Sequence, residues 1–250
     1  MNTTPKVAPA CGIRKLKKAR RIRGIVMLMV VCVLFFLFVN KMRNDTGTDS
    51  NATVPAANIS NETDLLHFYE SLLVNSANPL PEQYSVALLD FEDGTGNVYR
   101  VAKVINEDLE ALFQEARLHE IELCINSAYR SNETQEQLYE SRVQEAMQHG
   151  ESRSQAEELT NDWVAQPGTS EHETGLAVDF GLLGTTTWDE GYGWLAQNAH
   201  RFGFILRYPE DKMDITKVAN EPWHYRYVGK DLAKELQENE LCLEEYLELE

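Results

Sequence analysis

Three short stretches gather the side chains that could do chemistry. They are Ser170-Glu171-His172-Glu173-Thr174-Gly175-Leu176-Ala177-Val178-Asp179, Glu221-Pro222-Trp223-His224-Tyr225-Arg226-Tyr227 and, upstream, Ser127-Ala128-Tyr129-Arg130-Ser131. Two histidines and a carboxylate suffice as protein ligands for a catalytic zinc ion, filling three tetrahedral positions and leaving the fourth open. His172 and Asp179 can approach each other because Gly175 lets the chain bend between them. Asp179 stands in an otherwise apolar run, where an ionised carboxylate is costly unless a cation pairs with it; a metal ion meets that need. His224 follows Glu221 by three residues, with Pro222 opposing regular structure between them. That spacing can bring an imidazole to the metal and a carboxylate to the water beside it, with Glu221 as general base. Taken singly these signals are weak: a lone histidine or aspartate is usually structural, and E-x-x-H is a short pattern. Their weight comes from all three segments standing in one chain. His67, His119, His149 and His200 lack such neighbours and read as structural or solvent-exposed.

The elements needed to position these residues are legible in outline. Apolar residues at helical spacing from Val98 to His119 predict a helix, and Ile121–Asn126 alternates as a strand should. A polar helix is expected from Ser131 to His149, ending at Gly150, and a second from Ser152 to Val164, closed by Gln166-Pro167-Gly168. Leu176–Leu182 reads as a short buried strand, Tyr192–Phe202 as a helix, Phe204–Tyr208 as a strand, and Lys230–Leu249 as an acidic helix. With no fixed strand–helix–strand repeat, the expectation is an α+β domain: a small, mainly antiparallel sheet with flanking helices.

Charge divides the chain. The formal net charge is −17, yet residues 1 to 43 hold ten Lys or Arg and no acid, so the remainder carries −27. An acidic body argues against a nucleic-acid partner, because phosphate binding needs clustered cations. The basic block instead flanks Gly24–Val39, sixteen residues that are wholly apolar. As a helix these span roughly 24 Å against a hydrocarbon core of about 30 Å, and snorkelling by Arg23 and Lys41 can close the gap. Eight basic residues precede the run and two follow closely, which leaves the N-terminus cytoplasmic. Phe35-Phe36-Leu37-Phe38-Val39-Asn40 offers no small-residue cleavage site, so the reading is an uncleaved signal anchor. The expected organisation is therefore a basic cytoplasmic tail (1–23), a membrane-spanning anchor (24–40), a flexible polar stalk (41–63) and an extracytoplasmic domain (64–250). Cys124 and Cys242 fall in the exported part, where a disulfide is permitted but lone buried thiols are equally expected.

The pattern S-x-H-x-x-G-x-A-x-D at Ser170–Asp179, E-P-W-H-x-R-Y-V-G at Glu221–Gly229 and S-x-Y-R-S at Ser127–Ser131 resembles the VanY-type D-alanyl-D-alanine carboxypeptidases. These belong to a set of zinc peptidases that includes D-Ala-D-Ala dipeptidases and L,D-carboxypeptidases. The similarity extends over about residues 65 to 235. It implies one zinc ion held by His172, Asp179 and His224, with Glu221 as catalytic base and Arg130 facing the scissile carbonyl and the substrate terminus. Ser127, Gln137 and Ser170 would be substrate contacts, and Trp223 and Tyr227 could line the pocket or belong to the core. The implied substrates are peptidoglycan precursor peptides ending in D-Ala-D-Ala. Trimming them would remove the target of glycopeptide antibiotics such as vancomycin, but it also serves ordinary wall maturation. An L,D-carboxypeptidase with the same zinc set is the nearest rival. A non-catalytic wall-binding domain is disfavoured by Glu221, since a structural metal has no use for a base. A serine mechanism lacks its S-x-x-K and K-T-G signatures.

Overall fold

Asp93-Gly94-Thr95-Gly96 is built to turn: Asp93 Oδ1 accepts from the Thr95 amide at 2.9 Å and its hydroxyl at 2.6 Å, and both glycines adopt positive φ. The turn pairs β1 (Leu88–Glu92) with β2 (Val98–Ala102) as an antiparallel hairpin. The computed structural model describes residues 62 to 249. The basic tail, the apolar run and the stalk up to residue 61 lie outside them. Among the described residues no helix is long and apolar enough to cross a membrane.

Helix α1 (Glu62–Ser71) leads through a long loop into the hairpin. The helix expected over Val98–His119 is shortened at its front. Val98–Ala102 is strand, and α2 (Asn106–Leu118) begins only after a 3-10 turn. The apolar spacing there suits either structure, and the Asp93 turn decides for the strand. Ala102 and Lys103 then donate their amides to the carbonyls of Gly175 and Ala87, at 2.9 and 2.7 Å. Leu109, Leu112, Phe113 and Ala116 of α2 face the core, as their spacing requires.

The second sheet has the order β3-β4-β6-β5, from β3 (Leu123–Ser127), β4 (Ala177–Leu182), β5 (Phe204–Leu206) and β6 (His224–Tyr227), with every pair antiparallel. The α+β expectation with a small antiparallel sheet holds. Between β3 and β4 run α3 (Asn132–Gln148) and α4 (Arg153–Asn161). Ser131 caps α3 by accepting from the Thr134 amide at 3.1 Å, and Ser152 with Gln155 forms a capping box on α4. A second capping box, Thr187 with Glu190, starts α5 at Trp188 and carries it to Asn198, so this helix begins earlier than its apolar pattern suggests. A four-residue helix α6 (Met213–Thr216) lies in the excursion between β5 and β6.

The acidic C-terminal helix is two helices, α7 (Lys230–Asn239) and α8 (Leu243–Leu249), because Glu240 takes up a left-handed conformation with φ 55°. The break lets Leu243 join Ile205, Val228, Leu232, Ala233 and Leu236 in a small core beside β5. The main core lies between the central sheet, the hairpin and α2, around Ile105, Leu109, Leu112, Phe180 and Phe204. Cys124 and Cys242 are separate free thiols, each raised to about 11 by burial.

Candidate metal centre and active site

Strand register assembles the site. Asp179 on β4 lies directly opposite His224, the first residue of β6, and also opposite Ser127 at the end of β3, where a bulge shifts the ladder. Facing residues on neighbouring strands hold their Cβ atoms about 5 Å apart, which is the reach of an imidazole and a carboxylate sharing one ion. His172 arrives from the 3-10 turn Glu171–Thr174, which ends at Gly175 in a left-handed conformation, φ 74°. Two hydrogen bonds tie this turn to the loop after β3: the Arg130 amide donates to the His172 carbonyl at 3.1 Å, and His172 Nδ1 to the Ala128 carbonyl at 2.8 Å. One ligand atom each from His172, Asp179 and His224 falls within 4.8 Å of the others, so these three could hold a single metal ion. Both histidines are buried.

The donor set suits a cation. Burial and the nearby Arg130 lower the pKa of His172 to about 4, so its imidazole is neutral with a lone pair to give. Burial alone would raise Asp179, but the protonated His224, which donates from Nδ1 to its Oδ1, pulls it well below the usual carboxylate range and keeps it ionised. Burial also lowers His224, yet hydrogen bonds to Asp179 and Glu171 outweigh it and raise the pKa to about 10. That extra proton is the one a metal ion displaces. His172 Nε2 is 3.3 Å from Asp179 Oδ2, and His224 Nδ1 is 2.8 Å from Asp179 Oδ1, so the carboxylate bridges the two rings.

Glu221 lies beside this cluster, its Oε2 3.9 Å from His224 Nδ1. Its amide donates to the Tyr208 carbonyl at 3.2 Å, and the Asn220 side chain reaches the same oxygen at 3.0 Å. Burial pushes Glu221 up to about 7; Asp179 and Glu171 add to the rise, while His224 and Arg130 oppose it. A carboxyl poised there can both take and return a proton near neutrality. Arg130 feels the carboxylates of Asp179, Glu173 and Glu221, though burial pulls its pKa down. Its Nε is buried without a hydrogen-bond partner, leaving a donor for something the protein does not itself provide.

The structure thus brings His172, Asp179, His224, Glu221 and Arg130 together, with Ser127 and Ser170 both buried in the segments that carry them. Gln137 is not brought there. It is exposed on α3 and donates to Glu133 one turn earlier, at 3.4 Å. The buried glutamine of that helix is Gln135, which donates to the Ala165 carbonyl at 2.7 Å. Tyr227 is a core residue whose hydroxyl donates to Asp108 at 2.8 Å, whereas Trp223 packs edge-on to the half-exposed Trp188 at 6.1 Å.

Sequence reasoning passed over Glu171, Arg207, Arg226 and Glu244, all buried next to the site. The signal was present: Arg207 follows Phe204-Ile205-Leu206, and Arg226 stands between two tyrosines. A charge in an apolar strand demands a partner, the same argument that singled out Asp179.

An antiparallel sheet presenting a histidine and an aspartate, joined by a second histidine from a 3-10 turn, with a glutamate of raised pKa and an under-bonded arginine beside them, defines a metallopeptidase type of centre. Comparison with known proteins gives the family. The model of VanY, D-alanyl-D-alanine carboxypeptidase, matches residues 99–230, more than half of the chain. A D-alanyl-D-alanine carboxypeptidase of Enterococcus faecalis is 45% identical over 180 residues, covering 72% of this chain and 66% of the relative, just under two thirds of its length. Among solved structures, VanYB in complex with D-alanine-D-alanine is 44% identical with TM-score 0.67, covering 73% of this chain and 99% of that one. A mutant of the vancomycin-resistance D,D-pentapeptidase VanY from a VanB-type cassette, in complex with Zn(II), is also 44% identical, with TM-score 0.66 and coverages of 72% and 99%. The chain belongs to the VanY D-alanyl-D-alanine carboxypeptidase family.

Proposed function

We propose that this chain is a zinc-dependent carboxypeptidase that hydrolyses the terminal D-Ala-D-Ala bond of peptidoglycan precursor peptides. The observation that carries the reading is the convergence of His172, Asp179 and His224 with Glu221 and Arg130 in one buried cluster of a VanY-family domain. Zinc, when held by His172, Asp179 and His224, supplies Lewis acidity that makes water a better nucleophile and a carbonyl a better electrophile. Glu221 takes the proton of the attacking water and returns it to the nitrogen of the departing D-alanine. Arg130 offers its planar fork to the negative charge that develops on the carbonyl oxygen and to the substrate's terminal carboxylate. In a body this acidic, that carboxylate needs a cation to dock against, and the unpartnered Arg130 Nε supplies a donor.

The location follows from the charge pattern of the N-terminal segment. The basic tail at 1–23 and the apolar run at 24–39 anchor the chain in the cytoplasmic membrane, with the catalytic domain outside, where such precursors are exposed. Shortening them there would also deprive glycopeptide antibiotics of their target.

The test is a peptide panel offered to the purified full-length protein in detergent, with zinc and after chelation. Peptides ending in D-Ala-D-Ala should release D-alanine only with the metal present. Cleavage confined to L-Lys-D-Ala ends, with D-Ala-D-Ala left intact, would replace this reading by the L,D-carboxypeptidase.

A further inference from the structure

Glu171 has no part in the reaction above, yet it is one of the most enclosed charges in the protein, 2% exposed. Its Oε1 accepts from Arg207 Nε at 2.8 Å and Arg226 Nη1 at 3.0 Å. Glu244 from α8 grips the far end of Arg207 with both oxygens, at 2.8 and 2.6 Å. Arg226 gives Nη2 to the carbonyls of Tyr69 and Leu72, at 3.0 and 2.8 Å, and Nε to the Tyr227 carbonyl at 3.1 Å. Two guanidiniums and two carboxylates balance, and Oε1 accepts from both guanidiniums, so Glu171 is locked in place as a carboxylate.

Its other oxygen, Oε2, faces His224 Nε2 at 3.4 Å. An ionised carboxylate can only accept, so the hydrogen of that contact belongs to Nε2. An imidazole protonated at Nε2 carries its free lone pair on Nδ1, and Nδ1 is the nitrogen turned toward Asp179 and Glu221. His172 is arranged the opposite way: the Ala128 carbonyl takes Nδ1–H, and Nε2 faces Asp179. We infer that Glu171 is a positioning residue that holds His224 as the Nε2–H tautomer and turns Nδ1 to the metal, so that the two histidines bind one ion through different nitrogens. Arg207 and Arg226 keep Glu171 in place for this task through Oε1, while Glu244 of α8 holds only the far end of Arg207. The inference rests on the zinc-site reading above.

A purely structural ion network makes a different forecast, and Glu244→Gln separates the two, since Glu244 belongs to the network but does not touch His224. In full-length protein, zinc affinity is measured by competition with a chromogenic chelator, and the ligand field by the visible spectrum after cobalt(II) substitution. Glu171→Gln should weaken zinc binding roughly 10- to 100-fold and shift the cobalt bands, the usual consequence of losing a carboxylate behind a ligating histidine. It should lower kcat with little change in KM. Glu244→Gln should lower the melting temperature while leaving zinc affinity and the cobalt spectrum unchanged. A folded Glu171→Gln protein with wild-type affinity and spectrum overturns the inference and leaves the zinc site standing, whereas a wild type that binds no zinc overturns both. Should Glu171→Gln fail to fold, 15N histidine NMR of the zinc-loaded wild type decides. A proton on His224 Nε2 with a metal-shifted Nδ1 supports the assignment, and a proton on Nδ1 overturns it.

Discussion

At the scale of single residues, burial is what makes Glu221 a useful acid–base group, and it does so at the expense of stability. Glu221→Gln removes the proton acceptor but neither a ligand nor the Arg130 charge. The variant should bind zinc in full and retain substrate affinity, with kcat lower by about 10²- to 10⁴-fold and no acidic limb in its pH profile. Near-wild-type turnover on D-Ala-D-Ala peptides would remove Glu221 from the mechanism. The metal-free protein offers a second check. In the fold the pKa is raised to about 7 from 4.5, so ionising Glu221 opposes folding. That penalty is absent well below pH 4.5, grows as pH rises through the interval, and is complete above about 7, where it reaches on the order of 2–3 kcal/mol. Urea unfolding should therefore show apo Glu221→Gln more stable than apo wild type at pH 8, with the gap much reduced at pH 5. His172→Ala and His224→Ala make the contrasting case: each deletes a proposed ligand, and stoichiometric zinc should be lost along with activity, as read by elemental analysis.

At the scale of elements, the turn between His172 and Asp179 depends on Gly175. A Cβ added there would stand 3.2 Å from the Ala102 amide nitrogen and from Leu88 Cδ2, at φ 74°, a conformation side chains disfavour. Gly175→Ala should destabilise by about 1–3 kcal/mol, or roughly 2–4 °C of melting temperature per kcal/mol. Because the hairpin β1–β2 is what crowds that Cβ, zinc affinity should fall too as the His172 turn shifts. Gly193→Ala on α5 serves as the control. Its Cβ meets nothing within 4 Å, and the substitution should be neutral or slightly stabilising. Equal losses for the two variants in a thermal melt would mean the turn geometry is irrelevant.

For the whole molecule, charge asymmetry carries the prediction. Ten basic residues and no acid in the first 43 oppose a body of −27, and this asymmetry with the apolar run is what supports the proposed membrane anchor. In intact cells, or protoplasts once the wall is removed, an epitope at residue 2 should be shielded from added protease and one at the C-terminus cleaved. The reverse pattern would overturn the localisation and, with it, access to the proposed substrate.

Much of this protein was legible in its residues alone. The three motifs, their order, and a carboxylate stranded among apolar neighbours pointed to His172, Asp179, His224 and Glu221, because ligand chemistry needs particular residue types and these recur locally. The strands around Asp179 and the capped helices were visible for the same reason: period and cap act over a few residues. Three things needed the tertiary structure. Val98–Ala102 became strand because a turn and a partner strand outweighed an ambiguous apolar period. Gln137 and Gln135 lie two residues apart on a polar helix, and only packing against Ala165 shows which one is buried. The ion network joining Glu171 to Arg207, Arg226 and Glu244 links residues 36 to 55 positions from Glu171 or 37 from each other, and it turns the ring of His224. Long-range charge pairing has no period in sequence. It arises only when folding removes water from those groups, and which imidazole nitrogen faces the metal follows from it.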